Sequence, residues 1–202
     1  MPSLMITPET LKNAGVCWPE RELESRLGAD GLWWRDVCSI CGYTNEKLVT
    51  ALTVSLPQYW RIEAGAVLAM QVAHLTTDPR VAKCRDVARR YARGQATNEE
   101  LRDVRDAVWD AADAADAADA AAARPAVWAA VGDAVGAAMA AVGDTDGFAV
   151  WAAAMAAAWT HNRQSIIAVC ELYEQYGETV PSIEVVDAAV AATERKNDSC
   201  LF

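Results

Sequence analysis

The stretch from Thr97 to Asp119 constrains the fold most strongly, because its composition leaves the α-helix as the favoured structure. It reads TNEELRDVRDAVWDAADAADAAD and contains neither Gly nor Pro. Alanine has the highest intrinsic helix propensity, and Thr97 followed three positions later by Glu100 has the pattern of a capping box. The sequence therefore predicts a helix that begins at Thr97 and continues through Asp119.

This predicted helix has one apolar face and one acidic face. At about 100° per residue, apolar side chains share one face, namely Leu101, Val104, Val108, Ala111, Ala115, Ala118 and Ala122. The opposite face carries the acidic ridge, defined here as Glu99, Asp103, Asp106, Asp110, Asp113, Asp116 and Asp119. Aspartate is a poor residue for a helix interior, and like charges at this spacing repel each other. The ridge is therefore either a tolerated solvent face or a binding surface for a basic partner.

The charge of the chain is divided unevenly along its length. Residues 1–96 hold 12 Lys and Arg against 10 Asp and Glu, a net charge of +2, whereas residues 97–202 hold 6 against 18, a net charge of −12. Such an acidic half disfavours direct contact with nucleic acid or a membrane surface and favours basic protein partners.

The cysteines and the N-terminus predict a cytoplasmic protein with reduced thiols. The six cysteines lack a disulfide-framework spacing, and the N-terminus has no charged segment followed by an apolar one. The longest uncharged run, 147–162, is shorter than the roughly 20 apolar residues that span a bilayer. We expect no membrane span.

Helical spacing of apolar residues recurs along the rest of the chain, and no segment keeps a period of two. Caps, prolines and glycines bound the predicted helices, which cover 8–14, 19–27, 32–41, 45–56, 57–75, 81–93, 125–142, 148–176 and 181–195 in addition to the one at 97. We predict an all-α fold, a compact bundle of roughly eight helices of which three are rich in Ala and Trp. A single domain over 1–202 is expected, with 1–56 as a possible N-terminal subdomain.

Cys38 and Cys41 form the only CxxC pair, which has the spacing of half a zinc site. A structural zinc site needs a second ligand pair, and the sequence holds no other CxxC, CxxH or HxxxH. Two cysteines at this spacing on a helix are more simply small core residues. We therefore expect neither a metal nor another cofactor.

A polar break interrupts the long apolar helix predicted over 148–176. It consists of five consecutive polar residues from His161 to Ser165 and could line a cleft, although it is also typical of a helix emerging into solvent. No nucleophilic triad, Gly-rich phosphate loop or paired-carboxylate site is recognisable, so we expect no enzyme.

A basic stripe precedes the acidic helix. It comprises Arg80, Lys83, Arg85, Arg89, Arg90 and Arg93. Because the turn at Gly94 is short, the two helices are expected to lie antiparallel, and the stripe to form surface ion pairs with the acidic helix. Contact with nucleic acid is the less favoured interpretation, since no aromatic residues are interleaved with the stripe.

Residues 88–122 resemble a family of Ala-rich helical proteins of bacteria and phages, the immunity proteins of polymorphic toxin systems. The shared pattern is Arg-Tyr-Ala-x-Gly, a Thr or Ser cap, Glu-Glu-Leu, and an Ala run with spaced Trp and acids. It is matched by Arg90, Tyr91, Ala92, Gly94, Thr97, Glu99, Glu100, Leu101 and Trp109. The resemblance implies a protein that binds and blocks a toxin, and it supplies no catalytic residues.

Three functional hypotheses follow. The favoured one is a non-enzymatic inhibitor that binds a basic toxin or nuclease through the acidic ridge. Its alternative is a phage-encoded inhibitor of a host defence nuclease, which would imitate nucleic acid with the same surface. Carboxylates can replace phosphates as partners of Arg and Lys. The second is an enzyme or small-molecule binder at the break from His161 to Ser165. The third, a structural or ice-binding Ala-rich protein, is disfavoured because the exposed face is acidic.

Overall fold

The structure is a computed structural model, which describes residues 4–13, 25, 27–39, 45–72, 79–104, 106–107 and 163–198. Most of these residues are helical, so the predicted all-α fold is confirmed. The described helices are α1 (Pro8–Asn13), α2 (Trp34–Ser39), α3 (Asn45–Ser55), α4 (Gln58–Val72), α5 (Pro79–Tyr91), α6 (98–104), α7 (Arg163–Tyr176) and α8 (Ile183–Asp198). Of the three Ala- and Trp-rich helices, the one predicted over 125–142 and most of the other two lie outside the described residues.

A small sheet, whose two strands lie on either side of α1 in the sequence, corrects the predicted start of the helix at Leu32. Strand β1 (Met5–Ile6) pairs antiparallel with β2 (Leu32–Trp33), so α2 begins only at Trp34. The reason lies in Gly31, whose φ is +78° and where a Cβ would come within 2.5 Å of the Ile6 carbonyl oxygen. Glycine lets the two chain segments approach closely enough to pair.

Two helix ends that the sequence predicts, at Thr7 and at Gly94, carry their caps in the structure. The Thr10 amide donates to the Thr7 hydroxyl oxygen at 3.0 Å, which caps α1 with Pro8 at its first position. After α5, the amides of Gln95 and Gly94 donate to the carbonyls of Arg90 and Tyr91, and Gly94 has a φ of +69°. This is a Schellman motif, which turns the chain sharply towards α6.

The core is built around α4 and α7. The fully buried Trp60 ring packs edge-on against Tyr173 with 5.8 Å between centroids, and its indole N–H donates to the Gly177 carbonyl at 2.7 Å. Helix α7 also packs against α3 and α8, and α5 packs against α4. Leu11 of α1 and Leu52 of α3 belong to the same apolar cluster as the buried residues of α7 and α8.

Candidate partner-binding surface

The first turn of α6 is fixed by the predicted capping box. The Glu100 amide donates to the Thr97 hydroxyl oxygen at 3.1 Å, and the Thr97 amide donates to the Glu100 carboxylate at 2.8 Å. This satisfies two amides that a helix start otherwise leaves unpaired. The backbone hydrogen bond from Thr97 is the main reason that the pKa of Glu100 lies below its usual value, and Arg90 lowers it further. The predicted start of the acidic helix is confirmed.

The described part of α6 has the predicted apolar and acidic faces. Leu101 is 0% exposed and Val104 is 4% exposed. Three members of the acidic ridge, Glu99, Asp103 and Asp106, are exposed on the other side. The remaining members, Asp110, Asp113, Asp116 and Asp119, lie outside the described residues, and their shared face stays a prediction from the helical period.

The arginines of the basic stripe do not all face the acidic helix, as their ion pairs within the described residues show. Among the described residues, Arg90 pairs with Glu100 on α6 at 3.3 Å, and its guanidinium also donates to the Gln95 carbonyl. Arg85 instead pairs with Asp86 of its own helix. Arg89 and Arg93 instead pair with carboxylates outside α6.

Arg89 and Arg93 enter the helix interface and form an ionic cluster with the buried Glu63 and the partly exposed Asp187. Arg89 donates to Glu63 through Nε at 2.8 Å and Nη2 at 2.6 Å, and Nη2 also donates to Asp187 at 2.7 Å. Arg93 donates to the second Glu63 oxygen at 2.7 Å and to the Pro181 carbonyl at 2.7 Å. Burial opposes the charge of Arg89, but the hydrogen bonds to Asp187 and Glu63 outweigh it and raise its pKa. The cluster joins α4, α5 and α8.

Sequence reasoning missed this cluster, although one signal was available. Glu63 is the only charged residue of α4 after Arg61, and its side chain is 0% exposed. A buried carboxylate needs a cationic partner, and the nearest arginine-rich helix along the chain is α5.

A second polar cluster joins the N-terminal segment to α7. The indole N–H groups of Trp33 and Trp34 donate to the Glu174 carboxylate at 3.1 and 2.7 Å, and Arg35 donates to its other oxygen at 2.7 Å. Burial alone would raise the pKa of Glu174, but the hydrogen bonds from Trp34 and Arg35 lower it below the usual value. Arg35 also contacts the more exposed Glu171 at 3.4 Å. This cluster positions α2 against α7.

The described part of the polar break belongs to α7. Arg163, Gln164 and Ser165 are helical, Ser165 is 0% exposed, and the Arg163 guanidinium donates to the Cys38 carbonyl. His161 lies outside the described residues. Arg163 thus links α7 to α2, and a catalytic or ligand-binding role for the break stays a prediction.

Of the CxxC pair, Cys38 lies within the described residues and Cys41 lies outside them. Cys38 is half-buried at the end of α2. Burial raises the pKa of its thiol, an effect that Arg163 partly offsets. Within the described ranges, no group of three or more His, Cys, Asp or Glu residues is placed to hold a metal ion. In the same ranges, no helix is both long enough and apolar enough to cross a bilayer.

No protein-family model matches the chain, and neither a curated protein nor a solved structure is significantly similar to it. The resemblance of residues 88–122 to immunity proteins therefore stays a prediction from the sequence.

Proposed function

We propose that this chain is a non-enzymatic inhibitor of the immunity-protein type. It binds a basic macromolecular partner, a toxin or a nuclease, through the acidic ridge and blocks that partner in the cytoplasm. The observation that carries the proposal is the orientation of α6, in which Leu101 and Val104 are buried while Glu99, Asp103 and Asp106 are exposed. If the helix continues at about 100° per residue, as the sequence predicts, Asp110 and Asp113 come within about 40° of Glu99, whereas Asp116 and Asp119 come about 100° and 160° away from it.

Two further features support a role in binding. The capping box fixes the first turn of α6, and the pair between Arg90 and Glu100 connects that turn to α5. The N-terminal end of the ridge is therefore held in place relative to α5. The net charge of −12 over residues 97–202 attracts basic partners over distances of about a Debye length. A nuclease binds the phosphates of nucleic acid through a cationic surface, and the proposal covers such a nuclease or a basic toxin.

The test compares variants that lose the same number of charges at different places. The ridge variant carries Asp110→Asn, Asp113→Asn, Asp116→Asn and Asp119→Asn. The control variant loses four exposed carboxylates elsewhere, by Glu9→Gln, Asp30→Asn, Asp36→Asn and Asp86→Asn. Both variants keep the side-chain size, so a difference between them reports the position of the charge and not the net charge.

Each full-length protein is used to capture partners from a host lysate, with quantitative mass spectrometry as the readout. We expect one or a few basic proteins to be retained by the wild type and the control variant and lost by the ridge variant. Retention should also fall between about 0.1 and about 1 M salt, as the Debye length falls from about 10 to about 3 Å. The purified partner should lose its own activity when the wild type is added. Binding that is indifferent to salt and to the ridge change contradicts the proposal.

A further inference from the structure

Buried polar atoms without a hydrogen bond are concentrated at one corner of the fold. Among the described residues there are four such side-chain atoms, and three of them lie within residues 53–61. They are the hydroxyl oxygens of Thr53 and Ser55 and Nε of Arg61. We call these three residues the polar corner. Because buried polar atoms in folded proteins are nearly always hydrogen-bonded, three exceptions at one place point to a ligand that they share.

The polar corner joins the end of α3 to the start of α4. The Leu56 amide donates to the Thr53 carbonyl at 3.3 Å, which closes the last turn of α3. The Arg61 amide donates to the Pro57 carbonyl at 2.9 Å, which begins α4 directly afterwards. Because a helical side chain extends over the turn that precedes it, the Arg61 side chain is directed towards Pro57 and the end of α3.

Arg61 is a half-buried cation that pairs with no carboxylate of the described residues. Burial lowers its pKa, and no opposite charge offsets this effect. Arg89 provides the contrast, since its hydrogen bonds to Asp187 and Glu63 outweigh burial and raise its pKa. Removing a charge from water is costly unless an opposite charge compensates for it. The ligand that suits Arg61 is therefore an anion.

The rest of the corner offers further donors to that anion. Thr53 is only 6% exposed, so its hydroxyl depends on a partner other than bulk water. Pro57 is the N-cap of α4, and its ring supplies no oxygen to the first amides of the helix. Gln58 and Tyr59 in the same turn are exposed, so the corner lies at the surface, within reach of a dissolved ion.

A phosphate group uses such a set of donors better than a carboxylate does. It has more acceptor oxygens and a higher charge near neutral pH, and it pairs well with the planar guanidinium of arginine. The start of a helix also favours phosphate, because the amides and the helix dipole both attract negative charge.

We propose that the polar corner binds a phosphate group through the Arg61 guanidinium, the hydroxyls of Thr53 and Ser55, and the start of α4. Inorganic phosphate and a phosphate ester offer the same chemistry here, and the experiment separates them. The site lies on α3 and α4, so the inference is independent of the acidic ridge and of the proposed function.

The test titrates inorganic phosphate and, separately, methyl phosphate into the full-length protein at constant ionic strength, with phosphorus NMR as the readout. The wild type should bind phosphate saturably. Arg61→Gln should weaken this binding about ten- to a hundredfold, the range for loss of a hydrogen bond to a charged group. The matched control is Arg102→Gln, which removes the same charge from an exposed arginine on α6 and should leave phosphate binding unchanged.

Thr53→Val separates the hydroxyl from the charge. It replaces the hydroxyl by a methyl group of similar shape, and so removes a buried polar atom that has no partner in the free protein. Urea denaturation without phosphate should therefore show equal or greater stability than in the wild type. Phosphate binding should nevertheless weaken about tenfold. A residue that serves only the fold would change stability and leave the affinity alone.

Methyl phosphate that binds at least as tightly as inorganic phosphate assigns the site to a phosphate ester, and its exclusion assigns the site to free phosphate. Three results would each overturn the inference: no saturable binding of either probe to the wild type, equal weakening by Arg61→Gln and Arg102→Gln, or displacement of phosphate by acetate as effectively as by methyl phosphate. Circular dichroism of each variant verifies that the fold is retained.

Discussion

The Arg89 guanidinium on α5 lies 2.6 Å from the Glu63 carboxylate on α4, and the two side chains are 4% and 0% exposed. An ion pair at this depth has lost its hydration, so its partners must replace the water that each group would otherwise bind. The structure supplies them: Arg93 donates to the second oxygen of Glu63, and Asp187 accepts from Arg89. The cluster therefore fixes the register of α4, α5 and α8 relative to each other.

Glu63→Ala should lower the free energy of unfolding by about 3–5 kcal/mol, because it leaves two buried guanidinium groups without their shared carboxylate. Urea denaturation followed by circular dichroism measures the loss. Asp86→Ala is the control, since Asp86 is 66% exposed and pairs with Arg85 of its own helix. It should cost less than about 1 kcal/mol. Equal losses for the two variants would show that the buried cluster does not hold the helices together.

Glu174→Gln should change how stability depends on pH. The pKa of Glu174 is lowered in the folded state, so its contribution to stability is complete above the unfolded pKa of about 4.3 and is lost as pH falls through the folded pKa. The variant should therefore be less stable than the wild type at neutral pH. Its stability should also fall less between about pH 5 and the acid limit.

Urea denaturation at a series of pH values gives this comparison. The control is Glu171→Gln, since Glu171 is 49% exposed and contacts Arg35 only at 3.4 Å. It should preserve the acid dependence of the wild type. A Glu174→Gln profile that runs parallel to the wild-type profile would contradict an acid-sensitive link between α2 and α7.

The helices could be predicted from the sequence because their signals are local. The Thr97 and Glu100 cap, Pro8 at the start of α1, and Gly94 and Gly177 at helix ends act within one turn of the chain. The pairing of β1 with β2 could not, because two-residue strands have no periodicity and depend on a close approach of segments far apart in sequence.

The surface was less predictable than the helices, because it too depends on which distant segments pack together. The exposed side of α6 follows from the period of its apolar residues, and the structure confirms it at Leu101 and Val104. The contacts of Arg89 could not be predicted in this way. A helical pattern indicates which residues share a face, but it does not indicate which helix covers that face. The exposed stripe that the sequence suggested is in part an interface between helices.

The thiols of Cys84 and Cys170 should react slowly with iodoacetamide in the folded protein. Burial raises the pKa of Cys84 to about 12 and that of Cys170 well above its usual value, so little reactive thiolate forms near neutral pH. Cys38 is half-buried and should react faster than either. Alkylation followed by peptide mass spectrometry resolves the three sites, and denatured protein provides the reference in which all three react alike. Rapid labelling of Cys170 in the native state would contradict its buried position.

Thr97→Ala should shorten the helix that carries the acidic ridge. The substitution removes the hydroxyl that accepts from the Glu100 amide, and loss of such a cap costs about 0.5–2 kcal/mol. Urea denaturation measures this cost, and hydrogen exchange should show faster opening of the amides over 98–104. Thr179→Ala, at an exposed threonine in the turn before α8, is the control and should leave both measurements unchanged.

The same variant connects the cap to the proposed function. If the first turn of α6 opens, the pair between Arg90 and Glu100 no longer holds that turn against the end of α5, while every ridge aspartate remains in the chain. Partner binding should therefore weaken without any change of ridge charge, and its salt dependence should persist. Binding as tight as that of the wild type, in a variant whose exchange shows the first turn open, would mean that the partner does not use this end of the ridge.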